Sequence, residues 1–424
     1  MGQREVPLGV WYSRKYPLAT SLPSSPFSEV ESIMNRRMSC YVSFACCCLL
    51  WILTGQVPVN AEETPVSGVA ATLKPFVDEH TLAGAVTLVA SRDKILDLST
   101  VGYSDIAAQK PMRPDQIVWI ASMTKAITAA AVMVLVDEGK ISLDDPIEKH
   151  LPEFKNLWVA VESDDSHKLL KRPASRVTIR QTLCHTSGMA FKSDMEVPTL
   201  DLLTVREATL SYAMTPLQHE PGTKYVYSNC GINTAGRICE VVSGMPFEVF
   251  LDQRVLAPLE MKDTTFWPSE EQMTRLAKHY TPSAAKNNLQ EAPVGYLHSP
   301  YSDRSRQPMP GGGLFSTATD VAHFCQMLLA DGQYHGKRIL SEESVKQIRT
   351  KQTEPAIDVP YGLGVQVSPD SFGHGGALST NMTIDRKHEL VLVYLVQHSG
   401  YANSDGGQIL PAFHKTAIER FGKK

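Results

Sequence analysis

Three short stretches of the chain hold residue types that could do covalent chemistry. The first is WIASMTK, residues 119–125, where Ser122 and Lys125 stand three residues apart. They open an apolar stretch that runs to Gly139 and reads as an amphipathic helix starting at Ser122. Residues at i and i+3 of a helix share a face, with Cβ atoms about 5–6 Å apart. A serine hydroxyl is a weak nucleophile until a base takes its proton, and a lysine kept neutral in a dry pocket can be that base. The positive end of the helix dipole would disfavour a protonated lysine there and favour negative charge building on the serine. Taken alone, an ordinary solvated lysine explains the pair equally well.

The second stretch is Tyr227-Ser228-Asn229, which follows a turn at Pro221-Gly222 and leads into a helical pattern. A tyrosine there can relay a proton, and an asparagine two residues on can offer both a donor and an acceptor to an amide or ester. A core tyrosine and a helix-capping Asn229 are the plain alternative. The third is His374-Gly375-Gly376, preceded by Gly373 in a strand-like region. Glycines beside a polar residue on a strand let a ligand approach the backbone closely, and a loop histidine is the plain alternative. His185, in CHTSGM, is a second histidine and is read as a support of the fold.

Composition narrows the field. The 424 residues carry a formal net charge of −4, with 43% hydrophobic and 20% charged residues. That is an ordinary globular composition and gives no basis for a nucleic-acid or anionic-membrane partner. No Gly-x-Ser-x-Gly elbow, His-Glu-x-x-His pair or Gly-x-x-x-x-Gly-Lys-Ser/Thr loop occurs in the sequence. The usual signatures of α/β-hydrolases, zinc proteases and P-loop enzymes are therefore missing.

Residues 1–61 read differently from the rest. Arg36 and Arg37 precede an apolar run from about Cys40 to Leu53, and Val59-Asn60-Ala61 offers small residues for cleavage. This is the layout of a secretory signal peptide, and the run is short of the roughly 20 residues that span a bilayer. It predicts export, to the periplasm or the medium of a bacterial cell, with the mature chain beginning near Glu62. An uncleaved anchor or a lipid-modified Cys46 is the alternative, and either would tie the chain to a membrane. The 33 residues ahead of Met34 would bury such a signal, so translation is expected to start at Met34 or Met38. Residues 62–424 would form one domain. Its cysteines, Cys184, Cys230, Cys239 and Cys325, are too sparse for a disulfide scaffold, and Cys230 and Cys239 fall in one predicted helix.

The elements that must position these residues follow from periodicity. Residues 66–80 read as helix, and 85–105 as two strands around the turn at 91–94. Residues 177–255 are mostly helical in pattern, with a helix ending near Gly244. Residues 317–329 read as a helix with Thr317 as its cap. Strands return at 361–367 and 383–398, the latter turning near Arg386-Lys387, and a last helix spans about 407–421. Strands at both ends, without regular βαβ alternation, predict an α+β fold. One antiparallel sheet would be built from both chain ends and flanked by helices, beside a mainly helical central subdomain. The cleft between the two would hold the site.

Together and in this order, the three stretches resemble the serine β-lactamase and penicillin-binding protein family: Ser-x-x-Lys, Tyr-x-Asn and a Lys-Thr-Gly-type strand. The chain is most similar to the class C β-lactamase-related branch, which includes family VIII carboxylesterases, DD-carboxypeptidases and D-aminopeptidases. The resemblance runs from about residue 66 to the C-terminus. It takes in EGKISLDDPIEKHLPEF, TLCHTSGM, HEPGTKYVYSN and GGGLFSTATDVAHF. It implies a β-lactamase/transpeptidase-like fold and a serine hydrolase that works through an acyl-enzyme, without metal or cofactor. Ser122 would be the nucleophile, Lys125 its activating partner and Tyr227 the general base and proton shuttle. Asn229 and His374 would contact substrate, and the N–H groups of Ser122 and Ala377, just past Gly376, would form the oxyanion hole. Either Lys125 or Tyr227 could take the serine's proton. His-Gly-Gly in place of Lys-Thr-Gly leaves acyl transfer intact and weakens the case for β-lactam substrates, whose carboxylate that lysine helps to bind. Small esters lead as substrates, with amides, peptidoglycan-like peptides or weak β-lactamase activity as the runner-up. A catalytically silent binding protein on the same fold is the non-enzymatic alternative.

Overall fold

The Val/Leu-rich run at residues 84–90 dictates the centre of the molecule. In the computed structural model, which describes residues 67–423 apart from 165, 286 and 287, Gly84–Ala90 is a strand buried at every position. Side chains alternate across a strand. Val86, Leu88 and Ala90 therefore enter the larger core on one face, while Ala85 and Val89 enter a smaller core on the other. A strand buried on both faces must lie inside a sheet, and this one pairs antiparallel with Leu390–Leu395 and with Ile95–Asp105. The sheet has seven strands. Their order is Gln366–Val367, Ser371–Gly375, Asn381–Asp385, Leu390–Leu395, Gly84–Ala90, Ile95–Asp105 and Lys110–Pro111. Every pairing is antiparallel. Both chain ends thus build one sheet, as the sequence predicts. The predicted leader and start codon lie outside the described residues.

The smaller core is sealed by the 3₁₀ turn Val69–Leu73 and the C-terminal helix Gly406–Phe421, through Ile409, Phe413 and Ala417. Helices Thr124–Asp137 and Ala318–Leu329 belong to the opposite core. The first is not amphipathic: every residue from Thr124 to Leu135 is buried. It is enclosed by Asn229–Ser243, Glu342–Arg349 and the turn Asp252–Leu256, so its polar residues, Lys125 among them, are internal. Gly139, at φ 66°, ends it as expected.

The central block is less continuous than its pattern suggests. Helices Ile179–Leu183, Val205–Met214, Asn229–Ser243 and Phe247–Leu251 are separated by irregular chain over 184–204 and 215–228. The helix within TIRQTLCHTSGM stops at Leu183 because His185 and Gly188 turn left-handed, at φ 62° and 81°. A Cβ on Gly188 would lie 2.4 Å from the His219 carbonyl oxygen, so close approach of two loops requires glycine there. Residues 361–367 also depart from expectation. Only Gln366–Val367 is strand, and Gly364, at φ 66°, lets the loop before it cross directly over the Lys125 carbonyl.

The outer wall of the cleft is tied down by one buried ion pair. Arg306 Nε donates to Asp201 at 2.7 Å with both side chains almost fully enclosed. The same carboxylate accepts from the His298 N–H, and Arg306 reaches the Phe266 carbonyl at 2.8 Å. Removing one member of such a pair typically costs about 3–5 kcal/mol, because the other is left charged and buried. Leu200 and Met309, which face the cleft, sit on the segments this pair joins. Among the described residues, no helix is long and apolar enough to cross a membrane.

Candidate active site

Ser122 owes its position to a strained turn. The short strand Val118–Trp119 pairs with Phe315–Ser316, and Ala121 then adopts a left-handed φ of 48°. A non-glycine residue in that region is held at a cost of about 1–2 kcal/mol. The chain enters a single 3₁₀ turn, Ala121–Met123, and the α-helix begins only at Thr124. Ser122 therefore precedes the helix instead of opening it. The i,i+3 contact still forms, with 3.3 Å between Lys125 Nζ and Ser122 Oγ.

Lys125 is wholly buried. Its Nζ donates to Asn229 Oδ1 at 2.6 Å and to the Gly311 carbonyl, and it lies 4.7 Å from the centre of the Tyr227 ring. Burial pulls its pKa from 10.5 down to about 7. In the neutral form, two N–H bonds to Asn229 and Gly311 leave the nitrogen lone pair for the Ser122 hydroxyl. Both acceptors are themselves anchored. Ser228, not Asn229, caps the helix Asn229–Ser243, accepting from the Gly231 N–H at 2.9 Å. The Asn229 side chain is thereby left to hold the lysine. Gly311 is fixed by its own N–H, which donates to Asn233 Oδ1 at 2.7 Å.

Tyr227 stands over the pair. Burial raises the pKa of its phenol, and the Ser122 hydroxyl pulls it the other way. On the sheet side, Gly376 packs against the chain entering the turn that holds Ser122. A Cβ there would fall 2.0 Å from Thr380 Oγ1 and 2.6 Å from the Ile120 carbonyl oxygen. Only glycine allows this approach, which brings Ala377 to the same cavity as Ser122.

That cavity has a volume of about 420 Å³. Ser122, Tyr227, Asn229, His374, Gly376 and Ala377 line it, and Lys125 lies beneath its floor. The structure thus brings all seven predicted residues together. His374 behaves differently from a free cation. Its Nδ1 meets the Gly375 carbonyl at 2.6 Å and its Nε2 meets Tyr361 Oη at 2.9 Å, so neither nitrogen is left for a substrate carboxylate. Burial, with the Lys125 charge adding to it, draws its pKa down to about 4. His185 does not line the cavity. It packs beside Tyr227, with ring centres 4.4 Å apart.

Sequence reasoning missed the walls. Trp119, Phe191, Leu200, Tyr296 and Met309 form an apolar lining, and Tyr361 lies behind His374. These residues come from loops far apart in the chain and share no local spacing. The Gly311-Gly312-Gly313 run was visible as a motif without a stated role, and it supplies the lysine's carbonyl partner. Among the described residues, no group of three or more His, Cys, Asp or Glu side chains is placed to hold a metal ion.

Residues 69–411 match the family model described as Beta-lactamase. The chain belongs to the Beta-lactamase family. Serine hydrolases with esterase-like and carboxypeptidase-like members make up this family, and the sheet with its helices is the β-lactamase/transpeptidase fold. An uncharacterized protein of Mycobacterium tuberculosis is 35% identical over 375 residues, covering 78% of this chain and 90% of its own. A Salmonella typhimurium protein named "Putative D-alanyl-D-alanine carboxypeptidase" is 28% identical over 324 residues, covering 67% and 70%. Among solved structures, EstCE1, described as a hydrolase with promiscuous acyltransferase activity, superposes with a TM-score of 0.69 at 22% identity. It covers 82% of this chain and 97% of its own, and at that identity the likeness speaks for the fold.

The contact between Gly376 and the turn that holds Ser122 yields a direct test. Gly376→Ala must push the strand end away from Ile120 and Thr380, displacing Ala377 from Ser122. The rate of Ser122 labelling by a fluorophosphonate is expected to fall by about 10²-fold, the scale for losing one oxyanion donor. An unchanged labelling rate would show that this approach does not shape the site.

Proposed function

We propose that the chain is a serine carboxylester hydrolase acting through an acyl-enzyme on small, uncharged esters. The observation that carries this reading is the lining of the cavity. No Lys, Arg, Asp or Glu occurs among the described residues that line it, and its walls are Trp119, Phe191, Leu200, Tyr296 and Met309. Such a surface suits an apolar acyl or alkyl group. A carboxylate-bearing substrate would find no lining cation there, only neutral polar groups such as Gln366 and Asn381, and would be incompletely repaid for its lost hydration.

In this reading Lys125, neutral in part at pH 7, takes the proton of Ser122 as Oγ attacks the ester carbonyl carbon. The negative charge moves to the carbonyl oxygen, which receives N–H bonds from Ser122 and Ala377. Tyr227 keeps its proton at neutral pH because burial opposes the phenolate. It passes a proton to the leaving alkoxide and is resupplied with the proton that Lys125 took from Ser122. The ester C–O bond breaks, alcohol departs and acyl-Ser122 remains. Water then adds to that carbonyl by the reverse proton path, releasing the carboxylic acid and restoring Ser122. Asn229 lies at the edge of the cavity while its Oδ1 keeps Lys125 in place. The Salmonella relative's name favours a carboxypeptidase as the second reading, and the uncharged lining argues against it.

The deciding experiment compares p-nitrophenyl acetate and butyrate with nitrocefin and a D-alanyl-D-alanine peptide. The esters are expected to turn over at least tenfold faster in kcat/KM, a difference of about 1.4 kcal/mol in transition-state binding. Ser122→Ala is expected to abolish turnover and fluorophosphonate labelling together. Nitrocefin hydrolysis as fast as the best ester, or release of D-alanine at that rate, would replace the esterase reading with the corresponding alternative.

The export reading rests on the leader layout alone. N-terminal sequencing of secreted protein is expected to find a chain beginning near Glu62. Secreted protein that retains residues 1–33 would refute both the signal reading and the late start.

A further inference from the structure

Behind the cavity lies a continuous line of buried hydrogen bonds that the proposed mechanism does not use. It runs from the Ser228 N–H to His185 Nδ1 at 3.1 Å and from His185 Nε2 to Tyr361 Oη at 3.2 Å. It continues from Tyr361 Oη to His374 Nε2 at 2.9 Å and from His374 Nδ1 to the Gly375 carbonyl at 2.6 Å. His185, Tyr361 and His374 are all buried. The line joins the residue before Asn229 to the strand before Ala377, so it spans the two sides of the site.

The direction of every bond is forced from its ends. A backbone N–H can only donate, so His185 Nδ1 accepts and carries no proton. A neutral imidazole then carries its proton on Nε2, which donates to Tyr361 Oη. The single hydroxyl proton of Tyr361 is left to donate to His374 Nε2. That nitrogen must accept, so the His374 proton sits on Nδ1 and donates to the Gly375 carbonyl, which can only accept. Reversing any one bond leaves a buried donor facing a donor or an acceptor facing an acceptor. A second proton on His374 would set Nε2–H against the Tyr361 hydroxyl, already an acceptor from His185, and would add a cation near Lys125. Lys125 is the charged group that faces both histidines.

We propose that Tyr361 is a positioning residue which, by donating to His374 Nε2 while accepting from His185, anchors the ring of the neutral Nδ1–H His374 from the side opposite the Gly375 carbonyl and so sets the strand end that presents Ala377 to the reacting carbonyl. The inference rests on the esterase reading for its catalytic consequence, but its chemical content does not need a substrate. It also explains how the strand position can hold a histidine without offering a cation to the cavity: the ring's second nitrogen is turned inward and occupied.

The test uses the full folded domain labelled with ¹⁵N-histidine, with resonances assigned through His374→Gln and His185→Gln. In the unaltered protein, long-range ¹H–¹⁵N spectra are expected to show His374 as Nδ1–H and His185 as Nε2–H at pH 7. An Nε2–H or doubly protonated His374 there would overturn the proposal, whatever the substrate proves to be. In Tyr361→Phe, which keeps the ring and removes the hydroxyl, the Gly375 carbonyl still holds the Nδ1 proton, and the ¹⁵N signal of His374 Nε2 is expected to move to the position of an imidazole nitrogen without a hydrogen bond. Its kcat on p-nitrophenyl butyrate is expected to fall about tenfold with KM within twofold, as for a small misplacement of a catalytic group. An unmoved Nε2 signal with unchanged kcat in that variant would also overturn it. Failure of every ester in the panel, with the tautomers as stated, would count against the esterase reading and leave the role of Tyr361 standing.

Discussion

The structure depends on a lysine amine buried where water cannot reach it. Lys125 lies in the innermost helix of the molecule, with the Gly311 carbonyl and Asn229 Oδ1 as its fixed acceptors. A drop in pKa from 10.5 to about 7 corresponds to roughly 5 kcal/mol between the two protonation states. The sign follows from linkage. Between about pH 7 and 10.5 the unfolded chain binds the proton that the folded chain has released, so this group favours folding more as pH rises through that window. Below pH 7 the penalty is present in full. The fold tolerates it because the helix carrying Lys125 is buried from Thr124 to Leu135 and packs against the helix that begins at Asn229, which supplies an acceptor for the amine. The glycine loop at 311–313 closes the remaining gap, and Gly364 lets a further loop lie on the Lys125 carbonyl.

Much of this was legible in the sequence because the chemistry is local. Ser122 and Lys125 are three residues apart, Tyr227 and Asn229 two apart, and Gly375 and Gly376 adjoin His374. Short spacings survive small errors in secondary structure. Ser122 proved to lie in a 3₁₀ turn, not in the helix, and its contact with Lys125 was unaffected. The sheet was legible for a similar reason, since Leu390–Leu395 is hydrophobic throughout and Gly84–Ala90 is interrupted only by Thr87. What escaped was set by contacts between distant loops. The run at 361–367 has the composition of a strand, yet it is held as a loop by Gly364 and by the Tyr361 hydroxyl between two histidines. The amphipathic reading of residues 122–139 failed because its small polar residues, such as Thr128, find internal partners. Thr128 donates to the Pro310 carbonyl at 2.7 Å.

The cavity shows the same division. Its reactive floor was predicted by residue type, and its selective walls were not. Trp119 is placed by its indole N–H on the Gly312 carbonyl at 2.6 Å, and Leu200 and Met309 by the Arg306–Asp201 pair. The walls therefore hang on the glycine loop and on one buried ion pair, both outside any catalytic motif. In the function proposed above, the amine, the phenol and the serine supply the chemistry while the surrounding loops determine which substrates fit.

The central claim is that Lys125 is the group that accepts the Ser122 proton near neutral pH. A ¹³C-lysine NMR titration of the ligand-free protein, with the Lys125 resonance identified by its loss in Lys125→Ala, measures this without any substrate. A titration midpoint near 7 is the predicted result. A midpoint near 10.5, the ordinary value for a lysine, would mean that Lys125 stays protonated throughout the working range and would contradict its role as the base.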